Sequence, residues 1–428
     1  MRKISRIAAS PLVIVGAALA TRVAASWYIL TRYFEPKLLF IQNEPSHIAW
    51  ALASGLGFSS PYANTPIAPT AQQPPVYPFI LAGIFKVCGT YTTQAAWVAV
   101  GLNIVAGAVT ALLLYHLGRL HFGETVGTVA AWLWVLPWMY RAIAFSSSLS
   151  SPYLAALGFA GLLLWLTKAM RTGRGWFPLG VYSGILVLLQ PSFLPVLAIY
   201  GVWFFSHRGW ARVSLALAGL ILVMTPWTIR NYLALGHFIP VRDNFGLELW
   251  LGNRPGMQGT VDYSGDFPDH DPSGFARLGE LRFMDAKLNE AKAFIANDPA
   301  GFIRRTLLRM VEFWYVPYSF SWILVSILGW AGAGLAMWNH RDGWLWATPL
   351  LVFPLVYYVT HVFSFYRHPI DPVVILLAAY FVVGIIQRAG TVRAQLYTPT
   401  GNGLLRGSAV SERPENRPCS SDISPVYQ

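Results

Sequence analysis

Residues 42–54 read QNEPSHIAWALAS, which sets a carboxylate directly before a proline in a chain where only 12% of residues are charged. A residue preceding proline is driven out of the αR region. The pair therefore predicts a helix start, with Glu44 at the N-cap and Pro45 at the first helical position. The helix dipole stabilises an anion placed there. A carboxylate held this way suits a general base that takes a proton from an attacking hydroxyl, an effect on the order of 10²–10⁴-fold. Glu35 is the one other acid between positions 31 and 92. The competing reading is an acid that solvates a loop. His47, one turn on, would donate to Glu44 or to a ligand, and its competing role is a structural hydrogen bond.

Cationic candidates sit near the same predicted face. They are Arg141, Arg230, Arg304, Arg305, Arg309, and the Arg367–His368 pair in SFYRHPIDP. A planar guanidinium binds phosphate bidentately, whereas an interfacial anchor needs only a long stem carrying a charge. Arg367 is the strongest of the set, because Pro369 fixes the chain beside it. Tyr366 and Trp250 offer flat faces on which a ring could stack, with an interfacial belt as the competing role, and Asp371 is placed to cap the last helix. The acidic stretch DYSGDFPDHDPSG has oxygen ligands for a divalent cation, but its spacing is not that of an EF-hand, so a solvated loop competes. Cys88 and Cys419 form no metal-type spacing.

The elements that must position these groups are membrane helices. The 428 residues are 55% hydrophobic and 15% aromatic, a composition that predicts an all-α polytopic membrane protein. About ten apolar runs approach the roughly 17–25 residues that span a bilayer. They are 7–30, 93–115, 125–145, 152–168, 176–190, 192–206, 213–230, 320–338, 344–364 and 370–387. MRKISR, HLGRLHFGE, KAMRTGRGW, SHRGWAR, NHRDG and the tail from QRAGTVR carry the basic clusters, so the positive-inside rule sets both termini in the cytoplasm. Two long segments, 31–92 and 231–319, then share the outer side and predict juxtamembrane helices and a small outer cap. Asp298–Pro299 marks a helix start inside the second. Residues 1–390 are expected to form the membrane domain and 391–428 a disordered cytoplasmic tail. The net charge of +12 does not indicate nucleic acid, since residues 231–318 hold 11 acidic against 9 basic residues and the positive excess lies at the inner face.

In order along residues 1–390, GLGFSSPY, PTAQQPPVYP, NFGLELWLGN and YRHPIDP make the chain resemble the fold-C (GT-C) membrane glycosyltransferases. The resemblance is to glycosyltransferase family 39, within the superfamily of dolichyl-phosphate-mannose protein mannosyltransferases and aminoarabinose transferases, and above all to bacterial members. It implies a GT-C-like bundle in the inner membrane that moves a sugar from a polyprenyl-phosphate donor to a lipid, glycan or protein hydroxyl on the outer face. The family's Asp-Glu pair appears here as Asn43-Glu44, so Glu44 alone inherits the acidic role. The next outer loop, RAIAFSSSLSS, lacks the acid some members carry. A lipid or oligosaccharide transporter, and a catalytically inactive membrane scaffold, stand as alternatives. A transporter would want repeat symmetry and polar residues deep within several spans.

Overall fold

The computed structural model describes residues 7–32, 40, 44–62, 65–136, 150–257, 272–315, 320–340, 342–363 and 365–396. Regular structure among them is helical, apart from a single antiparallel bridge between Ser59 and Pro69. The chain divides into two units, Met1–Gly384 and Ile385–Gln428. Of the second, the described part continues the helix Asp371–Leu396, and the expected disordered tail lies outside the described residues.

Among the described residues six helices are long and apolar enough to cross a membrane: Pro11–Arg32, Thr93–His121, Pro152–Thr172, Trp210–Leu235, Phe320–Asn339 and His368–Ala389. The other expected runs form shorter pieces. Trp176–Leu189 has 14 residues and Leu194–Arg208 has 15. At ~1.5 Å per residue such helices fall short of the ~30 Å hydrocarbon core. The run 344–364 breaks at Pro354 into Gly343–Val352 and Leu355–Val359. The run 125–145 starts as Glu124–Val135, and its second half lies outside the described residues.

Small residues let the short helices approach their neighbours. Gly180 and Gly184 stand one turn apart on Trp176–Leu189, facing Trp210–Leu235. A Cβ on Gly180 would lie 1.8 Å from the Ala216 carbonyl oxygen, and one on Gly184 would lie 2.8 Å from Val223 Cβ. Gly219 answers from the other helix, with Phe177 O at 2.3 Å from its would-be Cβ. Association inside a bilayer depends on packing of this kind, because lipid tails are as apolar as leucine.

The loops sort to opposite ends of this unit. At one end the basic connections meet: Arg171 donates to Leu120 O at 3.2 Å, His121 pairs with Thr167 at 2.8 Å, and Phe122 packs on Tyr380 and His340. At the other end the two long segments touch each other. Tyr62 packs edge-on against Phe275 at 5.1 Å, over a core of Leu247, Leu251, Phe283 and Met284. We call this the cap end.

Gly180→Ala is expected to lower stability by about 1–3 kcal/mol, the scale for overpacking against a backbone that has little room to yield. Gly101→Ala, which meets open space, is the control. Thermal unfolding of the two variants in detergent checks the difference, and equal midpoints would show that the glycine contact is dispensable.

Candidate functional site

The helix Glu44–Ala53 begins on Glu44 itself and buries Ser46, Ile48, Ala49 and Ala51. Gly55 and Gly57 take φ values of 79° and 76° after it, a left-handed turn that glycine adopts without strain. The chain then folds back on itself. Ser60 N donates to Ala68 O at 3.1 Å and Thr70 N to Phe58 O at 3.1 Å. Arg230 locks this turn by donating to Thr70 O at 2.6 Å and to Phe58 O, with its guanidinium over the Phe58 and Trp227 rings.

The locked turn presents the two glutamines of PTAQQPP to Glu44. Gln72 Nε2 donates to Glu44 Oε1 at 3.2 Å and also to the Tyr62 hydroxyl, while Gln73 Nε2 donates to Glu44 Oε2. Both carboxylate oxygens are thus oriented, and the residue stays partly accessible. His47 lies beside Tyr91, with Nδ1 3.3 Å from the phenol oxygen.

The second long segment clasps the same strip of backbone. Asp243 N donates to Ala71 O at 3.2 Å, and Ala71 N donates to Glu280 Oε1 at 2.6 Å. Burial, and then the adjacent Asp243, push the Glu280 carboxyl well above the usual carboxylate range; burial also raises Asp243. The Tyr62 hydroxyl is pushed up by burial first, then by the negative charge of Glu44, with Glu248 and Glu280 adding to it. Tyr62 therefore feels carboxylates contributed by both segments.

Glu248 projects from the helix Phe245–Asn253. Arg242 Nη2 and Asn244 Nδ2 donate to its Oε1, the first at 2.8 Å, and His361 Nδ1 lies 3.3 Å from Oε2. His361 Nε2 in turn is 3.0 Å from the Tyr366 hydroxyl. The Tyr366 ring packs on Tyr357 at 4.6 Å, and the Tyr357 hydroxyl is tied to Gln190 and Ser192, each at 2.8 Å. Close approach fixes the helix: a Cβ on Gly252 would lie 1.7 Å from Thr360 O, and Asn253 Nδ2 donates to Val359 O at 2.9 Å.

Arg309 and Arg367, two of the arginines expected to grip phosphate, bind groups of the protein itself. Arg367 is buried, donating through Nε to Asp371 Oδ1 at 2.7 Å and through Nη1 to Ser326 Oγ and Trp314 O, under the Trp322 ring. His368 stacks on Trp134 and packs on Tyr153, its Nδ1 3.2 Å from Asp371 Oδ2. Asp371, expected as a simple cap, is the buried anion of this trio. Arg309 is also buried and binds the carbonyls of Gly252, Tyr358 and Val359. Such contacts satisfy the carbonyls that a helix end leaves without partners. Arg305 pairs with Asp298, which caps the helix Pro299–Trp314 by accepting from Gly301 N. Arg141 and residues 262–271 of the acidic stretch lie outside the described residues, and among the described residues no cluster of three or more His, Cys, Asp or Glu could hold a metal ion. Residues the sequence did not single out, namely Gln72, Gln73, Arg242, Glu248, Glu280 and His361, form most of the polar network. Gln72 and Gln73 lie in PTAQQPP and Glu248 in NFGLELWLGN, whereas Arg242, Glu280 and His361 belong to neither motif.

No family model and no curated protein matches the sequence. Solved structures do match. Over 92% of its length the chain superposes on 52% of the Archaeoglobus fulgidus oligosaccharyltransferase in the apo form, at 13% identity and a TM-score of 0.54. AglB from the same organism, in complex with an inhibitory peptide and a dolichol-phosphate, gives 0.52 at 13% identity, with 92% and 52% covered. ArnT from Cupriavidus metallidurans, bound to undecaprenyl phosphate, gives 0.38 at 12% identity, with 91% and 81% covered. The fold is that of the GT-C membrane glycosyltransferases. The chain spans about half the length of the archaeal oligosaccharyltransferase it matches.

Glu280 and Asp243 bind protons more tightly folded than unfolded, so the folded protein is favoured most at low pH in this respect. Their contribution is lost as pH rises from the ordinary carboxylate range, near 4.5, through the Glu280 value of about 9. Glu280→Gln, which can keep an acceptor for Ala71 N, is expected to raise the unfolding midpoint at pH 8 and to flatten its decline between pH 6 and 9. An unchanged slope in thermal melts across that range would show that the pair is not titrating in the fold.

Proposed function

We propose that this chain transfers a sugar from a polyprenyl-phosphate donor to an acceptor hydroxyl at the cap end, which faces the outside of the bacterial inner membrane, with Glu44 as the base. The observation that carries the reading is the grip of Gln72 and Gln73 on both oxygens of Glu44, on a GT-C fold, at the junction of the two long segments. In the reaction, the acceptor oxygen forms a bond to the anomeric carbon while the bond from that carbon to the phosphate oxygen breaks. The acceptor proton goes to Glu44, and the electron pair leaves on the lipid phosphate. A phosphate is already a good leaving group and needs hydrogen-bond donors more than a strong acid. The reading also draws on the dolichol-phosphate bound by AglB. His47, beside Glu44 in the same helix, is assigned to substrate orientation.

The internal partners of Arg309, Arg367 and His368 move the phosphate role off these residues. Removing the Arg367 charge would leave Asp371 buried without its cation, so loss of function there would report on folding.

Glu44→Gln is expected to leave the unfolding midpoint nearly unchanged and to reduce transfer from a polyprenyl-phosphate sugar by about 100-fold or more, the lower scale for a lost general base. Proteoliposomes supplied with donor and membrane acceptors provide the assay, with Glu35→Gln as control. Near-normal turnover in the Glu44 variant would return the residue to a structural role.

A further inference from the structure

Two consecutive helices of the second long segment turn opposite kinds of side chain outward. Glu280–Asn297 buries Phe283, Met284 and Ala291 and exposes Arg282, Asp285, Glu290 and Lys292, the usual arrangement in water. Pro299–Trp314 is built the other way round. Ile303, Leu307, Met310 and Val311 recur at three- and four-residue spacing along it and are 40% to 59% exposed. Arg305 and Arg309, on the opposite side of the helix, turn inward. Arg305 pairs with Asp298 at 3.1 Å and lies over the Phe294 ring. Arg309 donates to the carbonyls of Gly252, Tyr358 and Val359 and to Asn253 Oδ1.

Water around this helix would favour the reverse, with aliphatic side chains buried and guanidinium groups exposed. Charged groups turned to the protein interior and apolar ones turned out is the arrangement of a helix in lipid. The depth of its end agrees. Ser326 Oγ donates to Trp314 O at 2.6 Å, and the Trp314 ring packs edge-on to Trp330 at 5.0 Å. Both partners belong to the spanning helix Phe320–Asn339, six and ten residues beyond Phe320. At ~1.5 Å per residue, Trp314 therefore stands about 9 to 15 Å along that span from its cap end.

We propose that Pro299–Trp314 is a half-span sunk in the cap-end leaflet, with lipid acyl chains against its Ile303, Leu307 and Val311 face, so that the boundary between water and lipid crosses the cap at Asp298. Its 16 residues rise about 24 Å, short of the ~30 Å hydrocarbon core, and the helix enters the bilayer without crossing it. Arg304, exposed beside the stripe in the second turn, has the stem to reach headgroups from there. Arg309 fastens this half-span to the end of Phe245–Asn253, so the helix that carries Glu248 rests on a lipid-embedded support. Placement in lipid is independent of the transferase chemistry, which needs no contact with the Ile303–Val311 face.

The test places single nitroxide labels on the full-length protein in nanodiscs, in a background of Cys88→Ser and Cys419→Ser. Leu307→Cys and Val311→Cys carry the label on the proposed lipid face, Glu290→Cys on the preceding helix and Ile327→Cys on the exposed side of the span. All four positions are exposed or nearly so, and Ile303→Cys replaces any variant on the proposed face that does not fold. Power saturation then compares collision of each label with oxygen, which concentrates in lipid, and with a water-soluble nickel chelate. The oxygen-to-nickel ratio is expected to be high at 307 and 311, as at 327, with 311 at least equal to 307, and low at 290. Nickel access at 307 and 311 equal to that at 290 would put the face in water and overturn the proposal. Low access to both reagents would show a protein cover such as a second copy of the chain, which overturns it equally.

Discussion

The backbone from Thr70 to Gln72 is the strip on which the cap end depends. A chain passing under a cap has main-chain polar groups that water does not reach freely, and each must find a partner. Arg230 takes the Thr70 carbonyl, Glu280 takes the Ala71 N–H, Asp243 donates to the Ala71 carbonyl, and the Thr70 hydroxyl takes the Gln72 N–H. These bonds join the first long segment, the end of Trp210–Leu235 and the second long segment at one place. The glutamine side chains that orient Glu44 leave directly from this strip. The position of the carboxylate thus depends on residues 160 to 209 positions from the strip.

The same constraint explains what became of the arginines. A guanidinium carries five donors and no acceptor, which suits it to gather several carbonyls at once as well as to bind phosphate. Arg230 and Arg309 gather carbonyls, and Arg367 combines an ion pair with two further acceptors. Where helices end within a packed body, free carbonyls are numerous, and a cation near a span end is drawn to them. Charge count near a span end therefore does not say what each guanidinium binds; its partners do.

Local signals were legible in the sequence. Glu44–Pro45 and Asp298–Pro299 mark helix starts found at Glu44 and Pro299, and the glycines at 55 and 57 close the first of these helices. Segments 31–92 and 231–319 touch each other through Tyr62 and Phe275. What was not legible depends on distance along the chain. Gln72 and Gln73 carry no charge and no periodicity, and only the fold brings them to Glu44. Glu248 and His361 are 113 positions apart. The Arg367–Asp371 pair was within reach, because residues four apart meet on one helix face, but sequence does not say that this face turns inward. Among the described residues, six of the ten expected runs form single helices long and apolar enough to cross a membrane. Hydropathy sees an apolar run, while a proline such as Pro354, or a turn after 14 residues, sets how far the helix rises.

The account makes the cap end a site for a lipid-linked sugar donor, and the lipid that stays with the protein is the most direct witness. Purification in mild detergent followed by mass spectrometry of the bound lipids, compared with the lipids of the source membrane, makes the measurement. Enrichment of polyprenyl phosphate or its glycosylated form on the protein is the predicted result. A bound complement that mirrors the bulk phospholipids would contradict the account.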